Sequence, residues 1–413
     1  MKRKAVISLF SGCGGMDLGF EGGFEILEKS LPNQESRGWS CEKSRRGWAK
    51  LPRTQFEVVL ANDILPAAKN AWMPYFSKRN DAAFLPDSIV DLVKRHRKGE
   101  KVFPAADVVT GGFPCQDFSV AGKRLGFSSH KSHLGVLRKG DLPDEENRGK
   151  LYMWMKAVVE IVKPKIFIAE NVKGLVSLGS VKDTIQKDFS KIGKAGYLVV
   201  EPRVLRAQDY GVPQTRERVI FIGFRKDMLL SKAREELEAK LISSEYNPYP
   251  EPTHGRVDGH LRKYVTVKEA LFGLPEPERS FDLSQQTFSR ARWYGDHCQG
   301  NKEIDPCMPG PTIRAEHHGN IEFRRLDKAH GGMIDAELKI GMQERRLTVR
   351  ECARIQTFPD NYDFVRRSSE RNNGWRLSGS DGYRVLGNAV PPLLGYHIAA
   401  NLQNKWKKYF GKK

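Results

Sequence analysis

Three features of the sequence predict an α/β fold with a mainly parallel sheet. Short apolar runs recur through residues 1–224, helical stretches separate them, and the first run ends in a glycine-rich turn. That first run, Ala5 to Phe10, reads as a buried strand. Ser11-Gly12-Cys13-Gly14-Gly15 then supplies a tight turn and a helix start, half of a nucleotide-binding βαβ unit. Further strands are predicted at Glu57 to Ala61, Ala106 to Thr110, Lys165 to Ala169 and Val219 to Phe224, with a helix from Leu151 to Val162.

After Phe224 the pattern changes. Residues 225–345 are rich in Pro, Gly and His, with turn signals such as Asn247-Pro248 and Pro309-Gly310-Pro311, and predict a smaller irregular domain. From Leu347 the helical period returns, and Pro391-Pro392 at the head of the last apolar stretch marks a helix whose first turn tolerates the missing N–H groups. The expected organisation is a first domain at 1–224, a second at 225–345, and a return to the first at 346–413. Two stretches look inserted, 37–53 with Trp39 and Trp48 among its basic residues, and 363–382 with Arg366, Arg367, Arg371 and Arg376. Each is read either as a phosphate contact or as a solvated basic loop.

At 413 residues the chain is long enough for a substantial core. No apolar run approaches the roughly 18 residues of a membrane span, and the first is too short for a signal-peptide core, so a cytoplasmic protein is expected. Six cysteines without a C-x-x-C pair argue against a disulfide framework or a standard zinc module, and no metal is expected. Sixty-nine Lys and Arg against fifty Asp and Glu give +19, a field that concentrates polyanions such as nucleic acid.

Four clusters carry chemistry. The turn Phe10 to Gly15 lets a ligand approach backbone, and Asp63, after the next strand, is placed to accept from ribose hydroxyls; a nicotinamide or another nucleoside cofactor satisfies this pattern equally. Gly111-Gly112-Phe113-Pro114-Cys115-Gln116 follows a strand, which puts Cys115 at the sheet's ligand-binding edge as a nucleophile once held as thiolate. Glu170, after the strand ending at Ala169, brings a carboxylate to the same edge for proton transfer. In Gln208 to Arg218, "QDYGVPQTRER", Arg216 and Arg218 alternate along one extended face, so both are expected to point into the cleft.

These clusters, in this order and followed by "RRLTVRECARIQTFPDNY" and "GYRVLGNAVPP", resemble the cytosine-5 DNA methyltransferase family. The resemblance implies a Rossmann-like class I S-adenosylmethionine-dependent methyltransferase domain plus a smaller target-recognition domain. It implies that S-adenosylmethionine, leaving as S-adenosylhomocysteine, is held by Phe10, Gly12, Cys13, Gly14, Gly15, Asp63, Ile64, Asp87, Ser88, Pro114, Asn388 and Ala389, with Asp63 on the ribose and Asp87 toward the adenine amino group. Cys115 adds to C6 of a flipped cytosine, Glu170 meets N3 and the exocyclic amine, Arg218 meets O2, and Arg216 and Gln116 support the pocket. Ser119 and Arg148 fall in a loop that closes over DNA. Thr312-Ile313 matches a short signature of the recognition region, with Arg314, His317, His318, Asn320 and Arg324 as base or phosphate contacts. The chain departs from the family pattern in having Asp63-Ile64 where an acid followed by a large aromatic is usual.

By this resemblance the protein acts on double-stranded DNA as a monomer, in a bacterial restriction-modification system whose cognate endonuclease shares the site without direct contact. Three other readings remain open on the residues: a tRNA cytosine-5 methyltransferase, a catalytically silent DNA-binding regulator, and a thiol hydrolase or nicotinamide oxidoreductase. The first two are disfavoured by the length of 225–345 and by Cys115, Glu170 and Arg218 standing together; the third leaves Q-x-R-x-R and G-N-A-V-P-P unexplained.

Overall fold

The structure, a computed structural model, describes residues 3–33, 39–79, 81–114, 151–177, 181–256, 261–295, 300–315, 321–333, 335–368, 374 and 376–411. Its centre is a seven-stranded sheet. The strands are β1 (Lys4–Leu9), β2 (Phe56–Asn62), β3 (Ala83–Leu85), β4 (Val108–Gly111), β5 (Ile166–Val172), β6 (Tyr197–Arg206) and β7 (Glu217–Arg225), in the spatial order β3-β2-β1-β4-β5-β7-β6. The first five strands run parallel, and β7 lies antiparallel between β5 and β6. The order reverses between β1 and β4, the place where open α/β sheets bind ligands outside their carboxyl ends.

Apolar side chains alternate to both faces, so each face is covered. Val6, Val58, Ile166, Ile168, Ile220 and Ile222 share one core with α1 (Gly15–Glu21), α2 (Pro66–Phe76) and, late in the chain, α6 (Val349–Ile355), α7 (Gly379–Asn388) and α8 (Pro392–Phe410). Ile7, Leu9, Val109, Phe167, Val219 and Phe221 point the other way, against α3 (Ile89–Arg97), α4 (Leu151–Val162) and α5 (Val181–Ser190). Strands buried on both sides read as near-continuous apolar runs, which is why five of the seven are visible in the sequence.

The two others have physical reasons to be missed. β3 is three residues long. β6 contains Pro202, which argues against a strand, yet β6 is the outermost strand and its register with β7 skips between Arg203 and Val200, so the missing N–H falls at an edge irregularity. β5 also runs further than expected: Glu170 lies within it, opposite Ile220, rather than after it.

Residues 226–345 are largely irregular, with short helices at Ser231–Glu238, Val267–Leu271, Leu283–Gln286 and Asp335–Lys339 and short pairings of His254–Gly255 with Arg262–Lys263 and of Phe323–Arg325 with Arg345–Arg346. Tyr246, Tyr249, Ile304 and Ile313 from this stretch join the core that α1 and α8 build. Several arginines here are structural ties: Glu276 bridges Arg325 at 2.6 Å and Arg345 at 3.2 Å, and Arg345 also meets Glu351 at 2.8 Å. The insertion at 37–53 forms strands Glu42–Arg45 and Trp48–Lys50 beside Glu25–Leu27, with Arg45 over the Trp48 ring at 4.1 Å and paired with Asp360 at 2.6 Å. In the second insertion Arg366 pairs its backbone with Leu377 and donates to the Asn70 carbonyl. No described helix is long and apolar enough to cross a membrane.

Candidate active site

The glycine turn, Asp63, Gly112 and Glu170 lie at or just beyond the carboxyl ends of neighbouring parallel strands. After β1 the chain turns through Phe10 at φ 53°, Gly12 at 57° and Gly14 at 79°. The Phe10 value is one that non-glycine residues rarely adopt, so the surrounding structure must hold the turn in place. Two groups do so. The Gly12 N–H donates to Asp63 Oδ2 at 2.9 Å, and the Ser11 N–H donates to the Asn62 carbonyl at 2.8 Å. Asp63 Oδ1 accepts from Leu65 N at 2.9 Å, so both carboxylate oxygens are oriented by backbone; burial pushes its carboxyl up while these two N–H groups hold it down.

Next to Asp63 the Ile64 side chain stands 38 % exposed, an apolar surface at the ligand edge. Asn62 donates to the carbonyls of Leu85 at 3.0 Å and Asp87 at 2.8 Å, which ties the Asp87 loop to β2. The side chains of Cys13 and Ser88 face the interior. Cys13 is fully buried with its thiol on the Val385 carbonyl at 3.4 Å, and Ser88 is buried and caps α3 through Val90 N. Neither presents its side chain to a ligand, so each meets the edge only through backbone.

The chemical half lies one strand over. Glu170 and Arg218 sit diagonally on one face of the β5–β7 pair, because Arg218 opposes Val172 and Ile220 opposes Glu170. Their Oε1–Nε distance is 2.7 Å, with both side chains nearly buried. Burial pushes the Glu170 carboxyl up, against the pull of Arg218 and then Arg216. Gly112, three residues before Cys115, makes room for the carboxylate: a Cβ there would lie 2.9 Å from Glu170 Oε2.

Two contributors were not visible in the sequence. Gly112 is one, through the space it leaves for Glu170. Asn171 is the other: it is buried, and its Nδ2 donates to the Phe113 carbonyl at 3.1 Å while its Oδ1 accepts from Val172 N at 2.9 Å. It therefore anchors the strand that delivers Pro114-Cys115 to the strand that delivers Glu170. Asn171→Leu is expected to lower kcat by about 100-fold through misplacement of that loop, with affinity for S-adenosylhomocysteine unchanged; steady-state kinetics and calorimetry check it.

Arg216 corrects an expectation. β7 begins at Glu217, so the alternation that aims Arg218 into the cleft does not extend to Arg216. Arg216 is fully buried and donates to the carbonyls of Ile313 at 3.1 Å and Gly387 at 2.9 Å. It thus clamps the Thr312-Ile313 segment to the segment preceding Asn388. Arg216→Met would leave two buried carbonyls without donors and is expected to cost about 2–4 kcal/mol of stability, measured by chemical denaturation.

Asn388 ends α7 and is exposed, while Ala389 and Val390 are buried. The Val390 carbonyl closes on the glycine turn so tightly that a Cβ at Gly15 would lie 2.1 Å from it. Arg314 and Arg324, expected to contact DNA, are each paired with an acid, Glu322 at 3.4 Å and Glu337 at 3.3 Å. Cys115, Gln116, Ser119, Arg148, His317, His318 and Asn320 lie outside the described residues.

The model of the C-5 cytosine-specific DNA methylase family matches residues 4–404. The chain belongs to that family. It is 35 % identical over 410 residues to type II methyltransferase M.BspRI of Lysinibacillus sphaericus, covering 96 % of this chain and 81 % of that one. Against M.BsuRI of Bacillus subtilis it is 32 % identical, covering 97 % and 79 %. Among solved structures the Entamoeba histolytica methyltransferase EhMeth shares the fold, at TM-score 0.55 and 15 % identity, covering 98 % of this chain and all of that one. The protein is a C-5 cytosine-specific DNA methylase, with an α/β Rossmann-like methyltransferase fold and DNA as substrate. The strand-edge cluster of Glu170, Arg218, Gly112 and Asn171 is this methylase's candidate catalytic centre, and the turn with Asp63 and Ile64 its candidate donor site.

Proposed function

We propose that this methylase modifies one cytosine within a short recognition sequence of duplex DNA, with S-adenosylmethionine as donor, and thereby protects host DNA in a restriction-modification system. The observation that carries the catalytic part is the Glu170–Arg218 pair, 2.7 Å apart at the carboxyl edge beside the loop that leads to Cys115. The setting is supported by the relatives, which bear the name type II methyltransferase. Residues 225–345 are the target-recognition part and 346–413 complete the catalytic part. The enzyme acts as a monomer in the cytoplasm, and an endonuclease of the same specificity would meet it only through shared DNA.

The residues at the turn suit the donor. Asp63 offers remaining acceptor capacity to a ribose diol, the exposed Ile64 offers an apolar seat for adenine, and Gly12 has open space where a Cβ would point. Phe10, Gly14, Asp87, Pro114 and Asn388 complete this shell. S-adenosylmethionine supplies an electrophilic methyl on its sulfonium when bound.

The chain's own groups then prepare the base. The target cytosine leaves the stack, since C5 and C6 are inaccessible within the duplex. Arg218 takes the O2 edge and Glu170 the N3 and amino edge. Cys115 thiolate adds to C6, and the displaced π-electron pair, with N3 held by Glu170, makes C5 nucleophilic toward the methyl. After methylation, loss of the C5 proton returns an electron pair to the ring and Cys115 departs as thiolate.

The test is to express wild type and Cys115→Ser in a methylation-deficient host and map 5-methylcytosine at base resolution. A mark at one short sequence, absent in the variant, is expected. Marks on RNA instead of DNA, or an unmarked genome beside folded wild-type protein, would overturn the proposal.

A further inference from the structure

A carboxylate outside the site so far described sits directly behind the donor turn. Asp17, in α1, is 1 % exposed. Its Oδ1 accepts from Ser8 Oγ at 2.5 Å, and its Oδ2 accepts from Ser11 Oγ at 2.5 Å and Trp72 Nε1 at 2.7 Å. The three donors come from β1, the turn and α2, and none is charged. Burying a carboxylate on neutral donors alone is expensive, and apolar residues of similar volume fill such a space at lower cost. What the carboxylate adds is direction, since it is an acceptor only and fixes where each donor points.

The donors it fixes bracket the ligand edge. The Ser11 backbone N–H is bonded to Asn62, and the next residue, Gly12, donates to Asp63. Trp72 belongs to the helix that follows Asp63-Ile64, and it stacks on Phe76 at 4.4 Å between ring centres. One carboxylate therefore joins the glycine turn to the helix that follows the ribose acid. We propose that Asp17 is a positioning residue for the methyl donor, acting through Ser11 to hold Gly12 and Asp63 in their receiving geometry. This rests on the turn being the S-adenosylmethionine site.

The experiment is a double-mutant cycle on the full chain, with S-adenosylhomocysteine affinity read by calorimetry and affinity for duplex DNA as the control. Ser11→Ala is expected to weaken the nucleoside by about tenfold, the scale of one lost charge-assisted hydrogen bond, and Asp17→Ala by at least as much. Because Asp17 acts through Ser11, Ser11→Ala in the Asp17→Ala background is expected to add nothing further. Duplex affinity stays at the wild-type value throughout. Ser8→Ala removes a hydroxyl from the same carboxylate without touching the turn, and is expected to change nucleoside affinity by less than about threefold.

Additive losses, or equal losses for Ser8→Ala and Ser11→Ala, would overturn the inference. Should Asp17→Ala not fold, the comparison of the two serine variants decides alone. Absence of nucleoside binding by wild type would instead overturn the donor-site assignment itself.

Discussion

Cys115→Ala is expected to reduce methyl transfer by at least about 10⁴-fold, the scale seen when an enzyme's nucleophile is deleted, while binding of duplex DNA and of S-adenosylhomocysteine persists. The reason lies in the substrate. C5 of cytosine is a poor nucleophile until something adds at C6, and Cys115, which follows the Gly111-Gly112-Phe113-Pro114 run, is the group assigned that addition. Binding needs none of this, because phosphate contacts and the donor turn do not use the thiol. DNA carrying 5-fluorocytosine at the target separates the two roles. Fluorine cannot leave as the C5 proton does, so wild type is expected to remain covalently joined to such DNA, and Cys115→Ala to release it on denaturation. A covalent adduct with the alanine variant, or turnover within tenfold of wild type, would remove Cys115 from the mechanism.

Glu170→Gln is expected to lower kcat by about 10²–10⁴-fold, the usual worth of a positioned acid or base. Glutamine keeps the length and one acceptor of the side chain but cannot exchange a proton with N3, and it gives up the charge that Arg218 meets at 2.7 Å. The pH profile supplies the sign. Burial raises the Glu170 carboxyl above its ordinary value, more than Arg218 and Arg216 lower it, so the proton-bearing form persists to higher pH than in a free glutamate. That form can donate to N3; kcat is therefore expected to fall as pH rises through the raised value, and the Gln variant is expected to lack that limb. A downturn of the same shape in Glu170→Gln would assign it to another group.

These predictions draw unevenly on what the sequence disclosed. The parallel sheet was legible because strands buried on both faces are apolar throughout, as in Ala5 to Phe10 and Lys165 to Ala169. Polar residues at strand ends hid part of it: Glu170 and Asn171 read as the start of a loop although they lie inside β5. Arg216 and Arg218 share a spacing of two, yet only the second lies within β7, and where a strand starts is set by its partners rather than by its own pattern.

Gly112, Asn171 and Asp17 escaped for a different reason. Each acts on a residue distant in sequence, and local pattern carries no record of which strands will be neighbours. The cationic composition was informative about substrate but misleading about surface, since Arg325, Arg345, Arg346 and Arg350 are buried and serve the interior of the protein.

The contact of the glycine turn with the far end of the chain bears on when the enzyme comes into being. Cys13 reaches the Val385 carbonyl across 372 positions, and Gly15 lies against Val390. At a synthesis rate of about 5–20 residues per second, roughly 20 to 75 seconds separate the emergence of the two sides of this wall. A ribosome-bound chain that already carries Cys115, Glu170 and Arg218 still lacks the backing of its donor turn. Methylating capacity is thus expected only after the last helices dock, and a chain cut short before α7 (Gly379–Asn388) holds the reactive groups without the wall that would let them be used.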